Sequence, residues 1–165
     1  HLYRFDGTSR ASQMMGGVTL GNGMGWSPDN RTMYFSDTAT KSIYAFDFDF
    51  ASGAIANKRV FVQVAPGHGG PDGMTVDAEG FVWSCQFDRW CINRYAPDGR
   101  LDRVLKLPVA RPTSVMFGGP NLETLFITTA SMDLTPEQLA AQPGAGDLFA
   151  VEPGVRGLPE PRFKG

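Results

Sequence analysis

Hydrophobic residues occur along this chain in short runs, and these runs are separated by residues typical of turns. Five runs are rich in aromatic and β-branched residues, as strands are: RTMYFSD (31–37), SIYAFDFD (42–49), GFVWSCQF (80–87), WCINRYAPDG (90–99) and ETLFITTA (123–130). Asp37, at the end of the first run, and Asp77, just before the run 80–87, are interpreted as turn residues. TPEQLAAQ (135–142) is predicted to be helical, with Thr135 as its N-cap. The pattern predicts an all-β protein with one short helix.

A longer repeat groups these strands. An outgoing strand recurs as LYRFDG from Leu2, IYAFDF from Ile43, INRYAPDG from Ile92 and LFAVEPG from Leu148. Such spacing suits a β-propeller, whose blades are sheets of about 40 to 50 residues, and a β-sandwich is the alternative. We expect residues 1–165 to form part of one propeller domain. Its blades are expected at 1–20 (a tail), 21–70, 71–111 and 112–165.

The number of blades has a consequence for partners. About three blades are fewer than the roughly four to eight that close a ring. An open stack of sheets leaves a face uncovered where the next repeat belongs. The chain is therefore expected to need either a missing N-terminal half of the propeller or a second chain.

Charge and composition exclude several classes of partner. The 15 basic and 17 acidic residues are spread along the chain and give a net charge of −2, so nucleic acid is not expected. No run of 18 apolar residues is present, and a membrane span is not expected. The sequence shows no signal-peptide pattern and predicts a cytoplasmic location. Cys85 and Cys91 are too few for a disulfide scaffold and are interpreted as reduced thiols.

One phrase occurs twice and carries the candidate chemistry. GNGMGWSPDN (21–30) and PDGMTVDAEG (71–80) each place one oxygen-bearing side chain, Asn22 or Asp72, before Gly-Met. Inner strands of propeller blades line the central channel, so equivalent positions converge on its axis. An amide oxygen and a carboxylate are hard ligands that suit Ca²⁺, Mg²⁺ or Mn²⁺. The alternative is that Asn-Gly and Asp-Gly are simply turn dipeptides.

Three segments together resemble the SMP-30/gluconolactonase/regucalcin family, which includes luciferin-regenerating enzymes. They are GNGMGWSPDNRTMYFSDTATKSIYAFDFD, PDGMTVDAEGFVWSCQFDRWCINRYAPDGR and PTSVMFGGPNLETLFITTA. The resemblance covers nearly the whole chain and matches the C-terminal half of such a protein. It implies a six-bladed propeller with a divalent cation near its axis. It also implies that Asn22 and Asp72 are metal ligands, with a third ligand, a glutamate, upstream of His1.

The activity implied by the resemblance is metal-dependent hydrolysis of sugar lactones such as gluconolactone. Ca²⁺ is favoured as the cofactor, with Mg²⁺, Mn²⁺ and Zn²⁺ as alternatives. The cation would polarise the lactone carbonyl and activate a water, and Asp72 would act as the general base.

Four residues are further candidates for substrate binding. Thr113 and Ser114 begin the third inner strand, His68 lies in the loop before Asp72, and Gln86 flanks a hairpin after Cys85. Each has a structural alternative, such as hydroxyls bonded to their own backbone or a solvated loop histidine.

Two other functions stay open for the chain. It could be a non-catalytic half-propeller that assembles with itself or a partner, or a same-fold esterase or phosphotriesterase.

Overall fold

The computed structural model describes residues 1–5, 7 and 10–162, and its regular structure is almost entirely β. The described strands are β1 (Leu2–Phe5), β2 (Ala11–Met15), β3 (Gly21–Trp26), β4 (Thr32–Asp37), β5 (Ser42–Asp49), β6 (Ala54–Gln63), β7 (Gly70–Val76), β8 (Val82–Phe87), β9 (Cys91–Tyr95), β10 (Leu101–Lys106), β11 (Pro112–Gly118), β12 (Thr124–Thr129) and β13 (Leu148–Val151). The helix α1 spans Pro136–Ala141. No helix in the described part of the chain has the length and apolar content needed to cross a membrane. The predicted all-β class is confirmed.

The strands form four antiparallel sheets that follow one another along the chain. Their strand orders are β1-β2, β3-β4-β5-β6, β7-β8-β9-β10 and β11-β12-β13. Within each sheet, strands that are consecutive in the sequence pair with each other. This up-and-down order within successive sheets is that of propeller blades. The first strands of the last three sheets lie side by side, with β7 between β3 and β11.

The hydrophobic core lies between consecutive sheets. Residues such as Tyr34, Ile43 and Val82 pack where the second sheet meets the third. Trp83 and Ile127 belong to the cluster between the third sheet and the fourth. Each sheet is therefore stabilised mainly by burying apolar side chains against the next one, which is the repeat-to-repeat packing expected of a propeller.

The sequence pattern predicted the inner and middle strands and the helix but missed β2, β6 and β10. Most side chains of these three strands are exposed, so neither face imposes an apolar period. The helix begins as predicted. Thr135 accepts a hydrogen bond from the backbone of Gln138, whose side chain accepts one from the backbone N–H of Thr135.

Asp77 does more than begin a turn, and the interpretation of it as a turn residue was incomplete. Its carboxylate is fully buried and accepts hydrogen bonds from the Trp83 indole at 2.8 Å and from Arg94 at 2.7 and 2.9 Å. It also accepts from the backbone N–H groups of Glu79 and Phe81. Asp77 therefore anchors the third sheet just beyond the end of β7.

Two glycines allow the inner strands to approach closely. A Cβ added at Gly23 would lie 2.6 Å from the Asp72 carbonyl oxygen and 2.6 Å from the Met74 backbone nitrogen. A Cβ added at Gly73 would lie 2.5 Å from the hydroxyl of Ser114. These distances leave no room for a side chain, so glycine at both positions is required by the backbone of the next strand.

Gly23→Ala is expected to lower the free energy of unfolding of the full-length protein by about 1–3 kcal/mol, because the added methyl group must push β3 away from β7. The measurement is urea unfolding. Gly16→Ala is the matched control, since its added Cβ would meet nothing nearer than 3.3 Å. Equal effects of the two substitutions would contradict the assigned close approach.

Candidate active site

Each of the three inner strands carries an irregularity at the same place in its pairing. The register shifts lie between Gly21 and Met24 in β3, between Pro71 and Met74 in β7, and between Pro112 and Ser114 in β11. A bulge takes residues out of the ladder and re-aims their side chains. In the first two strands the residues concerned are Asn22-Gly23 and Asp72-Gly73. The repeated phrase is therefore a repeated bulge.

The two bulges bring the side chains of Asn22 and Asp72 together. Asn22 Nδ2 donates a hydrogen bond to Thr38 Oγ1 at 3.2 Å, and the Asn22 side chain lies near enough to the Asp72 carboxyl group to lower its pKa. Both residues are half-buried. Because the amide nitrogen donates to Thr38, Asn22 Oδ1 is the atom left to act as a ligand.

The environment of Asp72 favours a cation as an additional partner. Burial raises the pKa of its carboxyl group, and hydrogen bonds from the Asn22 side chain and the Gly73 backbone oppose that rise. Among the described residues, no lysine or arginine forms an ion pair with Asp72. A half-buried carboxylate beside an amide oxygen, without a basic side chain, fits a hard divalent cation.

A cleft of about 880 Å³ runs along the inner strands. Asn22, Gly73 and Ser114 line it where the bulges lie, and Met24, Met74 and Met116 line it further along the same strands. Asp72 itself does not line this cleft and lies beside its end, between Gly73 and Pro71 of β7. The cleft thus places polar groups next to an apolar wall. This combination is typical of small-molecule sites, in which a few polar groups orient a ligand against a hydrophobic surface.

The structure places the four candidate substrate-binding residues differently. Ser114 is exposed and lines the cleft. The hydroxyls of Thr113 and Thr128 lie 2.7 Å apart and are hydrogen-bonded to each other. His68 lies on the exposed loop before β7, with Nδ1 3.3 Å from an Arg89 nitrogen.

Gln86 is fully buried, and its amide donates to the backbone oxygen and the hydroxyl of Ser84. Its Oε1 has no hydrogen-bond partner. The two cysteines, Cys85 and Cys91, are likewise buried and are free thiols. None of these three residues lines the cleft. Gln86 is therefore less accessible to a ligand in the cleft than Ser114 is.

The described residues supply an incomplete ligand set. Across 1–5, 7 and 10–162, no three histidine, cysteine, aspartate or glutamate side chains converge in a way that could hold a metal ion. Asn22 and Asp72 therefore provide two neighbouring oxygen ligands, which is fewer than a complete set for a metal ion. The sequence analysis missed Ser36 and Thr38, whose hydroxyls bridge the two inner strands. Polar residues directly after the buried run TMYF are the signal that could have indicated them.

Comparison with known proteins identifies the family. A family model described as the SMP-30/gluconolactonase/LRE-like region matches residues 1–131. The chain belongs to this family. The match confirms the family resemblance that the sequence motifs indicated.

Curated relatives in the SMP-30/gluconolactonase/LRE-like family include lactonases. The chain is 39% identical over 165 residues to a 6-deoxy-6-sulfogluconolactonase of Pseudomonas putida, with 99% of this chain and 56% of the relative covered. It is 34% identical over 163 residues to a pentonolactonase of Haloferax volcanii, with 96% and 56% covered. The chain therefore spans about half the length of the curated relatives it matches.

A solved structure confirms the propeller fold. The calcium-binding protein regucalcin from Agrobacterium tumefaciens superposes with a TM-score of 0.90 at 28% sequence identity. The superposition covers 94% of this chain and 53% of that chain. The four successive sheets described above are thus blades of a family β-propeller.

Proposed function

We propose that this chain provides part of the active site of a divalent-cation-dependent hydrolase of sugar lactones. The observation that carries the proposal is the juxtaposition of Asn22 and Asp72, which occupy equivalent bulges on the adjacent inner strands β3 and β7. The names of the lactonase relatives support the reaction class. The name of the calcium-binding structural relative supports a cation, with Ca²⁺ favoured.

In this proposal Asn22 Oδ1 and a carboxylate oxygen of Asp72 would hold the cation. When bound, a divalent cation supplies Lewis-acid polarisation of an ester carbonyl. Asp72 would also accept the proton of the water that attacks the lactone carbonyl; the ring C–O bond of the ester then breaks, and the ring oxygen leaves as a hydroxyl group that takes this proton from Asp72. Its two carboxylate oxygens allow both roles, since one can face the cation while the other faces the water.

The cleft would orient the lactone. Ser114 presents the exposed hydroxyl that lines the cleft, and it lies against Gly73, next to the proposed base. The Thr113 hydroxyl is shared with Thr128 and offers less hydrogen-bonding capacity. We therefore assign substrate hydroxyl binding to Ser114 first. The remaining ligands and pocket walls would come from the rest of the propeller, as the length of the relatives suggests.

The test is proton release from gluconolactone and pentonolactones by the full-length protein. Hydrolysis above the spontaneous rate is expected with Ca²⁺, Mg²⁺, Mn²⁺ or Zn²⁺, and EDTA is expected to reduce it to background because no carbonyl polarisation remains. Re-addition of the same cation should restore it. Hydrolysis that is unaffected by EDTA would contradict cation dependence. Activity on phosphotriesters but not on lactones would overturn the proposed substrate class.

A further inference from the structure

We propose that Ser36 and Thr38 form a hydroxyl clamp that sets the position of Asn22 relative to Asp72. In this inference the two residues are positioning residues and do not touch substrate. The inference rests on the proposed function, because it concerns how the proposed cation ligands are held.

Both hydroxyls bridge the strands that carry the ligands. Ser36 Oγ donates to the Asp72 carbonyl oxygen at 3.0 Å and lies 3.4 Å from the Gly23 carbonyl oxygen. Thr38 Oγ1 donates to the Pro71 carbonyl oxygen at 2.7 Å and accepts from Asn22 Nδ2 at 3.2 Å. Each hydroxyl therefore contacts β3 on one side and β7 on the other.

The bulges explain why hydroxyl groups are needed there. Pairing at a bulge is locally disrupted, so backbone carbonyls require other partners. Ser36 is fully buried, and an unpaired carbonyl at that depth would cost about 1–3 kcal/mol. The hydroxyls of Ser36 and Thr38 extend from the second sheet to the third, where they donate hydrogen bonds to the backbone carbonyl oxygens of Asp72 and Pro71.

The next sheet does not repeat this arrangement. Phe35 pairs with Met24 and Ser84 pairs with Met74, which aligns β4 with β8. Counted from these pairs, the positions equivalent to Ser36 and Thr38 are occupied by Cys85 and Phe87. In the second sheet, a serine and a threonine occupy the two positions that bridge the strands of the proposed ligands. In the third sheet, neither equivalent position is a serine or a threonine.

The clamp has a consequence for the ligand atoms. Thr38 engages the amide nitrogen of Asn22, which directs Oδ1 away from Thr38 and leaves it available to a cation. Side chains that orient a metal ligand in this way affect metal affinity, typically by about 10–100-fold when removed. Thr38 is expected to act in the same way through Asn22.

The experiment measures cation binding to the full-length protein by calorimetry. The probe is the ion among Ca²⁺, Mg²⁺, Mn²⁺ and Zn²⁺ that binds the wild type most tightly. Thr38→Val, which keeps the shape and removes the hydroxyl, is expected to weaken binding about tenfold. Thr38→Ser keeps the hydroxyl and should bind as the wild type does. Thr40→Val is the matched control, because the Thr40 hydroxyl bonds only within its own turn and to Tyr44.

The outcomes separate the clamp from the proposed function. If Asp72→Asn abolishes cation binding while Thr38→Val leaves it unchanged, the clamp is wrong and the cation site stands. If Asp72→Asn binds as the wild type does, the proposed function is wrong. Should Thr38→Val fail to fold in urea titrations, Ser36→Ala carries the same expectation of weaker binding, and wild-type affinity in that variant overturns the clamp.

Discussion

Asp72→Asn is expected to reduce lactone hydrolysis by the full-length protein roughly 10²–10⁴-fold, the range that positioned general acids and bases contribute. The substitution gives the second phrase the same amide as the first and keeps the size of the side chain. It removes the negative charge that would hold a cation and the group that would accept the proton of water. The measurement is the initial rate of proton release at the cation concentration that saturates the wild type.

The matched control for this substitution is Asp98→Asn. Asp98 is an exposed aspartate in the turn between β9 and β10, where it accepts a hydrogen bond from the backbone of Arg100. Its substitution is expected to leave the rate unchanged, because Asp98 lies in a turn between outer strands and not on an inner strand. Equal rates for Asp72→Asn and the wild type would show that Asp72 is neither the base nor a required ligand.

Asp77→Ala is expected to lower the free energy of unfolding by about 3 kcal/mol or more. The substitution leaves the buried Trp83 indole N–H and two backbone N–H groups without their acceptor. Arg94, itself almost fully buried, would retain only the more exposed carboxylates of Glu79 and Asp102. The measurement is the shift of the urea unfolding midpoint of the full-length protein.

Asp47→Ala provides the comparison for Asp77→Ala. Asp47 forms an ion pair with Arg59 at 2.8 Å, and both side chains are about half exposed. Exposed pairs of this kind contribute about 0–1 kcal/mol. A destabilisation by Asp47→Ala as large as that by Asp77→Ala would contradict the central structural role assigned to the buried aspartate.

The sequence was informative where burial imposes a pattern. The middle strands β4, β5, β8, β9 and β12 are flanked by other strands, and their aromatic and β-branched runs predicted them correctly. The helix was predicted because its capping residues are local to it. By contrast β6 and β10 form the outer edges of their sheets, where solvent on most side chains removes the apolar period.

The candidate site shows the same division. Asn22 and Asp72 could be found from the sequence, because a repeated phrase in a repeated fold indicates equivalent positions. The roles of Ser36 and Thr38 depend on contacts between residues up to 36 positions apart. Asp77 resembles any turn aspartate in sequence, and only the tertiary packing of Trp83 and Arg94 around it reveals its burial.

The most direct test of the central claim is a crystal structure of the full-length protein saturated with Ca²⁺. The proposal predicts a cation about 2.3–2.6 Å from both Asn22 Oδ1 and a carboxylate oxygen of Asp72. It also predicts that Thr38 Oγ1 keeps its hydrogen bond from Asn22 Nδ2. A bound cation elsewhere, with neither Asn22 Oδ1 nor the Asp72 carboxylate among its ligands, would contradict the assignment of this pair as the metal site.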